Sequence, residues 1–298
     1  DLRELYAHDR QYGIGVRVAH RGFDPRWLVA AATHFQLVGI VNRLDRRVFH
    51  PDTCGELRLV YRLAYSARLP MTLNVVFFLA RPEGGDCAAV ARRFTVAPTA
   101  AALTGSDGPL ATGQLVLPRL KSLEVNLQSV RWPSTVRPDL GGHAEYLFRV
   151  FHREADGRFA PTPLENTPDT DRLDRDPAQR QALQRWIATQ LDAIDAGTAR
   201  LPDEFLATRA VSVTPRGLAR RQNRPFVRVL AERDLQALPL AGRRTIASPK
   251  ALLRRLDGLT CMGCHQSRSV AGFHVLGEEA DPARTADALA VGVSPHFT

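Results

Sequence analysis

Apolar residues recur at a spacing of two along the first half of the chain. Tyr12, Ile14, Val16 and Val18 alternate with glycine and arginine. Runs rich in β-branched and aromatic residues follow, and together they predict strands over 12–18, 35–41, 57–63, 73–79, 123–130 and 146–151. Alternation of apolar with polar residues predicts one buried and one wet face for each sheet. Residues 87–94 predict a short helix beside the strands.

The period then changes. Residues 159–177 are rich in Pro, Thr, Asp and Asn, which predicts a loop or boundary. Asp176-Pro177 has the form of an N-cap followed by a first-turn proline. Leu183, Trp186, Ile187, Leu191 and Ile194 then fall on one stripe of a helix over 182–194, where core packing is enough to explain Trp186. Ser248-Pro249 repeats the start signal for a helix over 250–257 that runs into Gly258-Leu259-Thr260-Cys261. The expected fold class is α+β. Its expected parts are a β-rich domain over 1–158, whose role the pattern leaves open, and a mainly helical region over 159–298.

Length and composition bound this picture. The chain has 298 residues, of which 44% are hydrophobic, so a sizeable core is expected. Its longest apolar run, 71–80, contains Asn74 and suits a buried strand, so no membrane span is expected. The first residue is Asp1, not Met, which fits either removal of a signal peptide or a fragment of a longer protein.

The net charge is +9 and comes from arginine, because Lys121 and Lys250 are the only lysines. The excess is concentrated. Between 207 and 269 thirteen basic residues face only Glu232, Asp234 and Asp257. A solvated arginine-rich surface accounts for this; so does a positive rim that steers an acidic partner. Nucleic acid is not expected, because no aromatic interleaving or reader motif accompanies the arginines. Dinucleotide, P-loop, G-x-S-x-G and H-E-x-x-H signatures are missing. Asp169, Asp171, Asp174 and Asp176 lack the glycine and terminal glutamate of an EF-hand and are expected to form a solvated acidic loop.

Four cysteines carry the chemistry: Cys54, Cys87, Cys261 and Cys264. The last two lie in Cys261-Met262-Gly263-Cys264-His265, a C-x-x-C-H sequence. This spacing lets one turn present two thiols to the two vinyl groups of one porphyrin and holds the adjoining imidazole beneath the iron. Haem c is attached where thiols oxidise, so Cys54 and Cys87 are expected to pair; two separate buried thiols are the alternative. Met262 lies inside the motif and cannot reach the far side of the metal. That leaves Met71, a histidine such as His274 or His296, or an open position for the sixth ligand. Arg268 is a candidate propionate partner. The alternatives are a zinc site on Cys261, Cys264 and a histidine such as His274, weakened by the lack of a second C-x-x-C, and a lone C-x-x-C redox pair.

Over residues 261–265 the chain resembles the c-type cytochromes. The resemblance implies one covalent haem c on Cys261 and Cys264, with His265 as iron ligand. It does not extend to a known cytochrome fold: only 33 residues follow the motif, the front is β-rich, and the second motif of the di-haem peroxidases is missing. The stretches Val38-Gly-Ile-Val-Asn-Arg-Leu-Asp45 and Cys54-Gly55-Glu56 resemble uncharacterised secreted bacterial proteins, a likeness that brings no activity with it. The expected function is a periplasmic or secreted mono-haem electron-transfer protein with an acidic redox partner. The alternatives are a haem peroxidase or oxidase with an open distal face, and a binding protein stapled by zinc or haem.

Overall fold

The computed structural model describes residues 21–22, 28–31, 33–64, 71–97, 99–111, 113, 115–131, 144–213 and 223–262. At 21–22, 64, 128–131, 144–145 and 212–213 it describes the backbone only. The strand expected over 12–18 lies outside these residues, as do Cys264, His265, Arg268, His274 and His296.

The fold is α+β, with an antiparallel sheet in the N-terminal part. The strands are β1 (Arg21–Gly22), β2 (His34–Arg43), β3 (Thr53–Ala64), β4 (Met71–Ala80), β5 (Leu120–Arg131), β6 (Ala144–Arg153), β7 (Phe159–Thr162) and β8 (Ala210–Val213). Their order is β2-β3-β4-β5-β6-β7, with β1 beside β5 and β8 beside β6. Five expected strands are present, each longer than its apolar run. The helices are α1 (Cys87–Arg92), α2 (Ala100–Thr104), α3 (Thr170–Arg175), α4 (Pro177–Thr189), α5 (Leu191–Ala196), α6 (Pro225–Val229) and α7 (Pro249–Gly258).

Contacts divide the chain into two compact units. One is built on Asn126–Val150 and Pro161–Ser269, the other on Pro25–Val125 and Phe151–Ala160.

In the second of these units β3 pairs with β2 and β4, with Leu57 opposite Asn42 and Phe77. Period two sends Leu57 and Leu59 to one face, where they pack with Phe77, Leu79, Val90 and Cys54. Cys54 is fully buried and bonded to Cys87, the first residue of α1. Asp86 caps that helix by accepting the Ala88 N–H at 2.7 Å. The expected pairing of Cys54 with Cys87 is therefore present. Gly55 takes φ +96, and a Cβ there would lie 2.4 Å from the Arg43 carbonyl oxygen. Only glycine lets β3 approach the chain reversal after β2 this closely.

The opposite face of β3 differs from expectation. It is polar but not wet: Glu56 is fully buried, Arg62 and Val60 are 6% exposed, and Arg58 is largely covered. Neighbouring elements supply partners for these charges, so the polar residues can be buried.

In the other unit the helices close over one apolar core. Leu183, Ile187, Leu191 and Ile194 meet Phe205, Phe226, Leu235, Leu252 and Leu256, and Trp186 packs at the margin. The expected stripe is buried, but its helix is two helices, α4 and α5, parted at Gln190 (φ −112°, ψ 15°). Beside the break, Thr189 donates its hydroxyl to the Trp186 carbonyl at 2.8 Å.

The expected loop over 159–177 is also corrected. It holds β7 and α3, so its aspartates do not form a loop, although Asp171 and Asp174 are exposed as expected. Asp169 caps α3 through the Arg172 N–H at 3.0 Å, and Asp176 caps α4 through Ala178 and Gln179. Asp171 and Asp174 grip Arg228 at 2.7 and 3.0 Å. A six-residue helix that buries only Leu173 shows no periodicity, and capping residues are also loop residues.

Candidate functional site

The cysteine motif enters from α7. Ser248 accepts the Ala251 N–H at 3.2 Å and Pro249 occupies the first turn. Leu252, Leu253, Leu256 and Asp257 form the buried stripe. The helix stops at Gly258, after which Leu259 N–H bonds the Arg255 carbonyl at 3.1 Å. The Thr260 hydroxyl donates to the Asp257 carbonyl at 2.7 Å, and this brings the chain to Cys261.

Cys261 docks on a pinned loop. Its N–H donates to the Thr167 hydroxyl oxygen at 3.2 Å, and its Sγ lies 3.8 Å from the Glu165 carbonyl oxygen. The loop is held by reciprocal backbone bonds from Leu164 to Ala207 and from Ala207 to Thr167, each 2.8 Å. Asn166, at φ 54, reaches back with its side chain to the Ala199 carbonyl (3.0 Å) and the Leu201 N–H (2.8 Å). Its left-handed backbone is tolerated because the amide satisfies two buried backbone groups at once. Met262 is 5% exposed among Leu164, Ala210, Phe148 and Val150. The first cysteine is thus seated on a firm shelf and bordered by apolar side chains.

Thr167→Val is isosteric and removes the hydroxyl that the part-buried Cys261 N–H bonds to. It should destabilise the protein by about 1–3 kcal/mol. Urea unfolding monitored by tryptophan fluorescence measures this as a lower midpoint at unchanged slope.

The arginine-rich segment divides by partner. Arg228 is spent on Asp171 and Asp174, Arg243 on Asp192 at 2.5 Å, and Arg255 on the Ile194 and Asp195 carbonyls. These arginines tie helices together. Lys250 and Arg254, one turn apart and exposed on α7, make no ion pair among the described residues. They border a shallow depression together with Thr245, Ser248 and Arg255. Thr245, on its border, donates its N–H to Asp195 at 2.6 Å. The hydroxyl and backbone N–H of Thr245 hold the Asp195 carboxyl down at about 2.

The β-rich unit holds a second charged cluster, which the sequence reading missed. Glu56 is ringed by Lys121, by Arg58 at 2.9 Å and by Arg46 at 3.6 Å. Arg58 also reaches Glu124 at 3.1 Å, and Asn74 donates to the same oxygen at 3.1 Å. Burial opposes the Glu56 charge, but Lys121 and Arg58 outweigh it and hold the carboxyl below the ordinary range. The sequence signal for this cluster is weak: a glutamate and an arginine at i, i+2 on a strand otherwise rich in leucine.

Of the expected site residues, the structure places Cys261 on its shelf and Met71 at the start of β4; the rest lie outside the described residues. Among the described residues no three His, Cys, Asp or Glu side chains converge as a metal site, so a zinc ion held by Cys261 would need at least one ligand from outside them. No helix among them is long and apolar enough to cross a membrane. No known family model, curated protein or solved structure gives a significant match to the chain.

Proposed function

We propose that this chain carries one haem c, covalently bound through Cys261 and Cys264 with His265 on the iron, and transfers electrons outside the cytoplasm. The observation that carries the reading is the C-x-x-C-H sequence, taken with the Cys54–Cys87 bond. That bond removes two of the four cysteines from consideration and leaves the motif pair as the thiols available for attachment. It also suits an oxidising compartment.

The described residues fit the group. The Cys261 thiol is outside any disulfide, half-buried, and packed on the apolar cluster of Leu164, Ala210 and Met262. Its hydrogen bond to the Glu165 carbonyl lies at the long range for sulfur and is readily given up. Bound haem would supply a reversible one-electron Fe(III)/Fe(II) couple. The chain's own residues do the positioning: Thr167 fixes the backbone of the first cysteine, and α7 braces it from the amino-terminal side. Lys250 and Arg254, on the same helix, supply the positive charge that steers an acidic partner into place.

Protein matured with the haem-attachment machinery should give a pyridine haemochrome spectrum of the c type. Its intact mass should exceed that of the polypeptide by one haem. Cys261→Ala with Cys264→Ala should abolish both signals. Colourless wild-type protein with the polypeptide mass alone would overturn the proposal.

A further inference from the structure

Asp257 is a carboxyl group that the haem reading does not use. It lies four residues before Cys261 on the buried stripe of α7 and is 0% exposed. Oδ1 accepts the Phe226 N–H at 2.8 Å and so caps α6, while Oδ2 has no hydrogen bond of good geometry, the Val227 N–H being a further group that favours the carboxylate.

The charged groups on the surrounding elements are mostly engaged elsewhere. Arg228 of α6 is turned to Asp171 and Asp174. In the 3-10 turn Glu232–Leu235, Asp234 takes the Ala231 N–H and the weak approach of Arg233, and Glu232 is exposed. On α5, Asp192 holds Arg243 and Asp195 holds Thr245. On α7 itself, Arg255 is bound to carbonyls, and Lys250 and Arg254 are exposed. Among the described residues, Arg224, just before α6, is the charged side chain that acts on Asp257.

The site therefore satisfies neither protonation state. The carboxylate would place a charge away from water with one good N–H donor. The neutral acid leaves its Oδ2–H without an acceptor. Burial dominates and pushes the Asp257 carboxyl up to about 7, against the Phe226 and Val227 N–H groups and Arg224, which favour the charge.

We infer that Asp257 is a proton-operated latch on the Cys261 segment. As the neutral acid it stays buried between the end of α7 and the first turn of α6; once its proton is released to solvent, the buried charge favours an opened segment in which Asp257 and Cys261 reach water. The latch belongs to the polypeptide and stands whether or not haem is bound.

The direction follows from linkage. The folded form binds this proton more tightly than the unfolded form, so stability present at low pH is lost as pH rises toward about 7. Asp257→Asn keeps an oxygen for Phe226 and cannot ionise.

The test uses the full chain without haem, with the Cys54–Cys87 bond intact and Cys264→Ser, so that Cys261 is the reporting thiol. An aromatic disulfide reagent is attacked by the Cys261 thiolate and releases an aromatic thiolate that is followed by absorbance. Dividing by the rate of a short peptide of the same segment removes the intrinsic thiolate dependence. Protection of Cys261 should fall about tenfold between about pH 6 and pH 8. The Asp257→Asn protein should show a flat profile. Parallel profiles in the two proteins, or protection that rises with pH, would overturn the inference. If Asp257→Asn does not fold, the wild-type melting temperature over the same interval decides: a fall supports the latch, and a constant or rising value overturns it.

Discussion

Glu56→Ala should lower the stability of the β-rich unit by about 3–5 kcal/mol, the largest single-residue loss expected in this chain. The substitution leaves Lys121, Arg58 and Arg46 facing one another in a place where Glu56 itself has no exposure. Most of the cost is the repulsion and desolvation of the cations left behind, not the worth of the pair that is lost. Glu56→Gln keeps the shape and should recover only a small part. Thermal unfolding followed by circular dichroism should show a melting temperature lower by on the order of 10 °C. The same cluster predicts acid sensitivity. Its carboxyl is held below the ordinary range, so its contribution is complete above the unfolded-state value and is lost as pH falls through the folded-state value. A melting temperature unchanged in Glu56→Ala would show that the charges rearrange toward water.

Replacing Cys54 and Cys87 together, by Val and Ala, should cost about 4 kcal/mol in the chain-entropy model, because the bond closes a loop of sequence separation 33. The effect should be felt around α1, a six-residue helix that buries only Val90 and has little else to hold it to the sheet. Paired variants are preferable to added reductant, which would also act on the motif cysteines. Urea unfolding of the double variant should keep its slope and lose midpoint; a midpoint within error of wild type would mean that α1 is held by packing alone.

The stretch Cys54-Gly55-Glu56 shows how much structure three adjacent residues can carry. Cys54 points into the core and bonds α1. Gly55 permits a positive φ against the Arg43 carbonyl. Glu56 turns to the other face and collects three cations. The sequence marks the residues as unusual. What each one meets comes from β4, β5 and the turn after β2, up to 65 residues away.

Local pattern alone determined five of the strands, the apolar stripe shared by α4 and α5, the helix starts at Asp176 and Ser248, and the C-x-x-C-H spacing, because each depends on neighbours within one or two turns. Tertiary structure decided what became of the polar residues. It buried the charged face of β3, turned an expected acidic loop into helix caps and ion pairs, and seated Cys261 on a loop some 94 residues earlier in the chain. It also left one oxygen of Asp257 without a hydrogen bond of good geometry. A carboxyl or guanidinium looks the same in sequence whether it ends in water or in protein. Which fate it meets depends on the groups that distant segments bring to it, and that is settled only when the chain is folded.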